Sequence, residues 1–163
     1  MDASTYAHII YSKNQRTDLP AVLQSLTTLA SLVQEKLRVL QHLPRQQFET
    51  LLSDNFELSG VTRDILVLMH EQRDLHTLPR VLVSLKRRLA AHGMTVVEVF
   101  MSHDSVDVKA IQQHLGQNTI VIKQIDPSLM SGIVLKTPLG TVEHSVRSAL
   151  HSIQSALLSP MKG

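Results

Sequence analysis

The stretch Leu85-Lys86-Arg87-Arg88-Leu89-Ala90-Ala91-His92-Gly93, running into Met94-Thr95-Val96-Val97-Glu98-Val99-Phe100, holds the change of pattern that decides the fold. Before Gly93 the apolar residues recur at three- and four-residue spacing, the period of one helix face. After it the period drops to two and β-branched residues dominate, as on a half-buried strand. His92-Gly93 closes the helix, because glycine takes the left-handed conformation that strains other residues. The chain is therefore α+β: an N-terminal all-α helical bundle over residues 1–93, then a small α+β domain over residues 94–163.

Working back from Gly93, the helical spacing repeats in Leu78, Val81, Leu82, Leu85 and Leu89, in Val61, Ile65, Leu68 and Met69, and in Leu19, Val22, Leu23, Leu26, Leu29, Ala30 and Val33. Tyr6, Ile9 and Ile10 begin the series. Asp18 with Pro20, Ser59 with Gly60, and Thr77 with Pro79 have the residue types of helix starts, and Pro44 breaks a helix after Leu43. Working forward, Thr119-Ile120-Val121-Ile122-Lys123-Gln124-Ile125 and Ile133-Val134-Leu135-Lys136-Thr137 give a second and a third strand. A helix over Val106–Leu115, ending at Gly116, separates the first two. Ser145 caps a last helix to Leu158, with Val146, Ala149, Leu150, Ile153 and Leu157 on one stripe.

Composition removes whole classes of function. The 163 residues include no cysteine, which excludes a disulfide framework, thiolate-held clusters and a thiol nucleophile. No apolar run reaches the roughly 18 to 20 residues needed to cross a bilayer, and Met1 to Thr17 lacks the basic start and apolar middle of a signal peptide. The expectation is a chain that begins at Met1 and is bacterial or organelle-encoded. Residues 1–93 carry 11 basic and 9 acidic groups and the remainder 5 and 5, so neither half is an electrostatic outlier. Lys86-Arg87-Arg88 is the one basic cluster. Leu85 and Leu89 bracket it at helical spacing, which makes it a solvated helix face, and aromatic residues for stacking on nucleic acid make up only 3% of the chain.

Candidate chemistry is sparse. The nine histidines are scattered, and His70 and His76 are six apart rather than the four that places two imidazoles on one helix face, so no metal site is expected and the set is mostly surface. Ser102-His103-Asp104 has the residue types of a nucleophilic triad, but adjacent residues cannot supply its geometry. There is no phosphate-cradling glycine motif, and no cofactor is expected. Asp126-Pro127-Ser128 is a turn sequence in its own right, since proline fixes φ and Asp or Ser bonds nearby backbone.

Taken together, Asp126-Pro127-Ser128-Leu129, Gly132-Ile133-Val134 and the helix start at Ser145-Val146-Arg147 resemble the C-terminal signature of the delta subunit of F-type ATP synthases, the oligomycin-sensitivity-conferring protein of mitochondria. Tyr6-Ala7 resembles the start of that family's first helix, and Leu78 to Val99 its last bundle helix running into the first strand. Ser131-Gly132 stands where the family usually has Gly-Gly, and Glu143-His144 where it often has Asp-Gly, which marks a divergent member. Arg16 to Ser59 matches only in being helical.

The resemblance implies a non-catalytic stator subunit on the cytoplasmic face of a bacterial membrane, or an equivalent organelle face, that resists rotary torque. Its N-terminal bundle would receive amphipathic helices of the alpha subunits of the catalytic alpha and beta head, and its C-terminal domain the ends of the b-type stalk subunits. For the head, Tyr6, Ile9, Ile10, Ile65, Leu68 and Met69 are the candidates. For the stalk they are Val146, Arg147, Leu150, Ile153 and Leu157. The alternatives are a helical nucleic-acid-binding or regulatory adaptor using Lys86 to Arg88, and a small enzyme using His103, Asp104 and Asp126.

Overall fold

Each N-terminal helix starts where local chemistry stops the chain from continuing as coil. The computed structural model describes residues 1–104, 107–116, 118–129, 133–137 and 140–144. Helix α1 (Ala3–Lys13) is capped by Asp2, whose carboxylate accepts the Thr5 N–H at 2.8 Å. Helix α2 (Leu19–His42) has Pro20 in its first turn; Asp18 occupies the cap position without making a side-chain cap bond. Beyond the break at Pro44, within the stretch read only as helical, lies a further helix, α3 (Arg45–Asn55). It follows Pro44, whose fixed φ suits a helix entry. Helix α4 (Gly60–Glu71) is capped by Ser59, whose hydroxyl accepts the Thr62 N–H at 3.3 Å. A 3-10 turn (Leu75–Thr77) leads into α5 (Leu78–Ala91).

Contacts divide the chain into two units, Met1–Arg88 and Leu89–Gly163. The first is a helical bundle whose interior holds Tyr6, Ala7 and Ile10 of α1, Leu23, Leu26 and Leu29 of α2, Phe48 and Leu52 of α3, Leu66 and Met69 of α4, and Leu78, Val81 and Leu85 of α5. Helices α1 and α4 run antiparallel. Asn14 bonds Thr62 near the start of α4, and the Tyr6 hydroxyl reaches Asp74 just past its end. Helix α2 kinks at Lys36 (φ −130°, ψ 35°), and its last turn is tied to α4 through His70 Nε2, 3.1 Å from the Leu40 carbonyl.

In the second unit β1 (Thr95–Met101), α6 (Val108–Leu115) and β2 (Thr119–Ile125) form a parallel crossover, joined by β3 (Ile133–Thr137) and β4 (Gly140–His144). The strand order is β2-β1-β3-β4. β1 pairs parallel with β2 (Val97 opposite Val121) and antiparallel with β3 (Val99 opposite Leu135, Met101 opposite Ile133). Those residues share one face of the pleat, so the period-two pattern builds a single apolar layer. Ile111 of α6 completes it, with Val108 and Leu115 packed at its border. Three strands were expected; β4 is a fourth, pairing antiparallel with β3. The expected helix Ser145–Leu158 lies outside the described residues.

Gly93 takes φ +80°, and a Cβ there would meet nothing within 4 Å. The cost of a side chain is therefore backbone strain alone. Gly93→Ala is expected to destabilise the chain by about 1 to 2 kcal/mol, read as a lowered denaturant midpoint at unchanged slope.

Candidate functional site

The head-facing candidates separate by burial. Tyr6, Ile10 and Met69 are fully enclosed, Ile65 is buried at 6% exposure, and only Ile9 and Leu68 are half-buried. Helical spacing identifies a face without saying whether that face is covered. In this bundle α1 and α4 cover each other's stripe. Because Tyr6 lies beside Asp74 and Asn14 beside Thr62, Ile9 and Leu68 fall at matching levels of the antiparallel pair.

Tyr6 has a second role that its apolar spacing does not reveal. Its hydroxyl donates to the Asp74 carboxylate at 2.8 Å and approaches Gln72 Oε1 at 3.4 Å, tying α1 to the turn after α4. Burial first, and then the bond to Asp74, push the phenol up to about 12.

The stalk-facing candidates Val146, Arg147, Leu150, Ile153 and Leu157 lie outside the described residues, as do Gly132 and Ser145 of the motif. The rest of the motif has a clear geometry. Asp126 Oδ1 accepts the Ser128 N–H at 3.0 Å and the Ser128 hydroxyl at 2.6 Å, and the Asp126 N–H donates to the Met101 carbonyl at 2.8 Å. Those bonds from Ser128 hold the Asp126 carboxyl below its ordinary range. Asp126-Pro127-Ser128 thus fastens the end of β2 beside the end of β1.

The groups considered for catalysis do not converge. Ser102 Oγ lies 3.0 Å from His103 Nδ1, but Asp104 turns away to an ion pair with Lys123 at 3.0 Å, and Asp126 is occupied by Ser128. Among the described residues no group of three or more His, Cys, Asp or Glu side chains is arranged to hold a metal. His70 departs from the expected surface set: it is buried at 8% exposure and stacks on Phe48 at 4.3 Å between centroids. A cleft of about 430 Å³ between α3 and α4 is lined by Glu49, Asp54, Arg63 and Asp64 among other polar groups. Glu49 is bridged by Arg45, which also reaches Glu71 at 2.7 Å. Lys86, Arg87 and Arg88 lie on α5 between buried Leu85 and Leu89; of the three only Arg87 is exposed, while Lys86 and Arg88 are half-buried, so the cluster is less solvated than its spacing suggested.

What remains is a helical bundle followed by a mixed sheet whose turn carries Asp-Pro-Ser, and residues 3–157 match the family model described as ATP synthase delta (OSCP) subunit. The chain belongs to that family. It is therefore a peripheral-stalk subunit of an F-type ATP synthase. A subunit delta from Jannaschia sp. (strain CCS1) is 26% identical over 171 residues, covering 95% of this chain and 92% of the relative. The subunit delta of Methylorubrum populi is 31% identical over 113 residues, 65% of this chain and 60% of its own length. A chain of the Toxoplasma gondii mitochondrial ATP synthase hexamer superposes over 98% of both chains at a TM-score of 0.48 and 19% identity, a likeness that adds no argument of its own. Among the described residues no helix is long and apolar enough to cross a membrane.

Proposed function

We propose that this chain joins the alpha and beta head of a proton-translocating synthase to the b-type stalk subunits and holds the head against rotary torque, without catalysing a step itself. The observation that carries this is the family match over nearly the whole chain, on a structure whose candidate acid-base groups are each engaged elsewhere. The helical unit takes the head. Ile9 and Leu68 are its partner-facing apolar groups, and Tyr6, Ile10, Ile65 and Met69 form the packed layer that fixes their positions. Val146, Arg147, Leu150, Ile153 and Leu157, the apolar ones at helical spacing in the sequence, take the stalk. The complex would lie on the cytoplasmic face of a bacterial membrane, and this chain would need neither nucleic acid nor cofactor.

Helix-in-groove recognition concentrates binding energy in a few apolar anchors. Ile9→Asp and Leu68→Asp are therefore expected to lower recovery of the alpha subunit about tenfold or more when the tagged chain is purified from native membranes. The chain has two tyrosines, both in α1, and no tryptophan, so tyrosine fluorescence reports on the helical unit alone. It should be unchanged in both variants. Full recovery of alpha with either variant removes that residue from the interface. A parent preparation lacking alpha, beta and b-type subunits overturns the stator role itself.

A further inference from the structure

Among the described residues strand β2 lies at one end of the sheet order, and it is the strand best suited to adhere to another. Thr119-Ile120-Val121-Ile122 is β-branched throughout and uncharged, and Ile125 at its far end is 47% exposed. Such a segment on an open edge is a template for pairing with a second copy, because its outward N–H and C=O groups offer an unfinished ladder.

The side chain of Gln112 meets that edge. The Thr95 N–H of β1 donates to the Asn118 carbonyl at 2.8 Å, so in a parallel pair the groups of Thr119 and Val121 face the other way, outward. Gln112 of α6 donates from Nε2 to the Thr119 carbonyl and accepts the Val121 N–H on Oε1 at 3.2 Å. One residue of a parallel neighbour strand makes the same two bonds, one to residue i and one to residue i+2. Its remaining amide hydrogen goes to the Gly116 carbonyl at 2.8 Å, which fixes the carboxamide plane.

We propose that Gln112 is an edge cap: its carboxamide stands in for a neighbouring strand and keeps β2 from pairing with β2 of a second copy of this chain. This is independent of the stator role, since it concerns the free chain before assembly.

The test is the oligomeric state of the purified full chain by sedimentation over a hundredfold range of concentration. Gln112→Met keeps the side chain's length and helix preference while losing both edge bonds. It should self-associate at concentrations at least tenfold below any association of the parent. Adding Ile125→Lys, a charge on the same edge, should return it to the parent's behaviour. A loss of loop order alone would lower stability without producing that rescuable association. Gln112→Met that folds and sediments like the parent overturns the proposal, as does association that Ile125→Lys leaves untouched. Whatever the variants' folding, the parent's Val121 amide should exchange as slowly as the ladder amides of β2, and fast exchange there removes the cap.

Discussion

Phe48→Ala is expected to destabilise the helical unit by about 3 to 5 kcal/mol, the range for deleting a large buried aromatic whose surroundings relax only in part. Phe48 is fully enclosed, and its ring stacks on the His70 imidazole with 11° between planes. His70 in turn bonds the Leu40 carbonyl at the end of the kinked helix. The lost ring thus exposes a polar side chain that currently holds α2, α3 and α4 together. Tyrosine fluorescence against urea measures the loss within this unit, apart from the sheet. Phe48→Leu should retain more than half of the stability lost in Phe48→Ala. A loss under about 1 kcal/mol for Phe48→Ala would mean that α3 contributes little to the bundle.

The second large effect is alkaline. Tyr6 ionises near pH 10 in an unfolded chain and at about 12 in the folded one, because burial and the Asp74 carboxylate both oppose a phenolate. Below pH 10 both states are protonated and the stabilisation is fully present. As pH rises from 10 to 12 the unfolded chain loses its proton first, so stability falls by about 2 to 3 kcal/mol over that window. Tyr6→Phe removes this component. It should cost about 1 to 2 kcal/mol at neutral pH and flatten the decline between pH 10 and 12. In a Tyr11→Phe background the tyrosinate absorbance at alkaline pH follows Tyr6 alone, and a midpoint near 10 would dismiss the account.

Much of this fold could be read because Gly93 separates two clean periodicities. The strands β1 to β3 and helices α1, α2, α4 and α5 follow directly from them. Around α3 the sequence was legible as helical and no further, because Arg45–Asn55 is mostly polar and its buried Phe48 and Leu52 are too few to show a stripe. Strand β4 escaped because Gly140–His144 has one apolar residue between polar ones. The kink at Lys36 has no proline or glycine to announce it. The proposed head-facing surface was legible only as a stripe: spacing placed Tyr6, Ile10 and Met69 on it, and tertiary packing then enclosed them. Gln112 gave no signal at all, since a glutamine on a helix is ordinary until the strand beside it is known.

The position of β1 has a mechanical consequence for a subunit that carries load. It is bonded on both sides, by seven register pairs to β2 and four to β3. Tension entering at Thr95 and running along β1 loads the β2 ladder in shear from Thr95 and the β3 ladder from Glu98, so their hydrogen bonds are strained in parallel instead of opening one after another. Central placement makes β1 a clamp, and a pull on this unit is resisted by the backbone itself before any side chain yields.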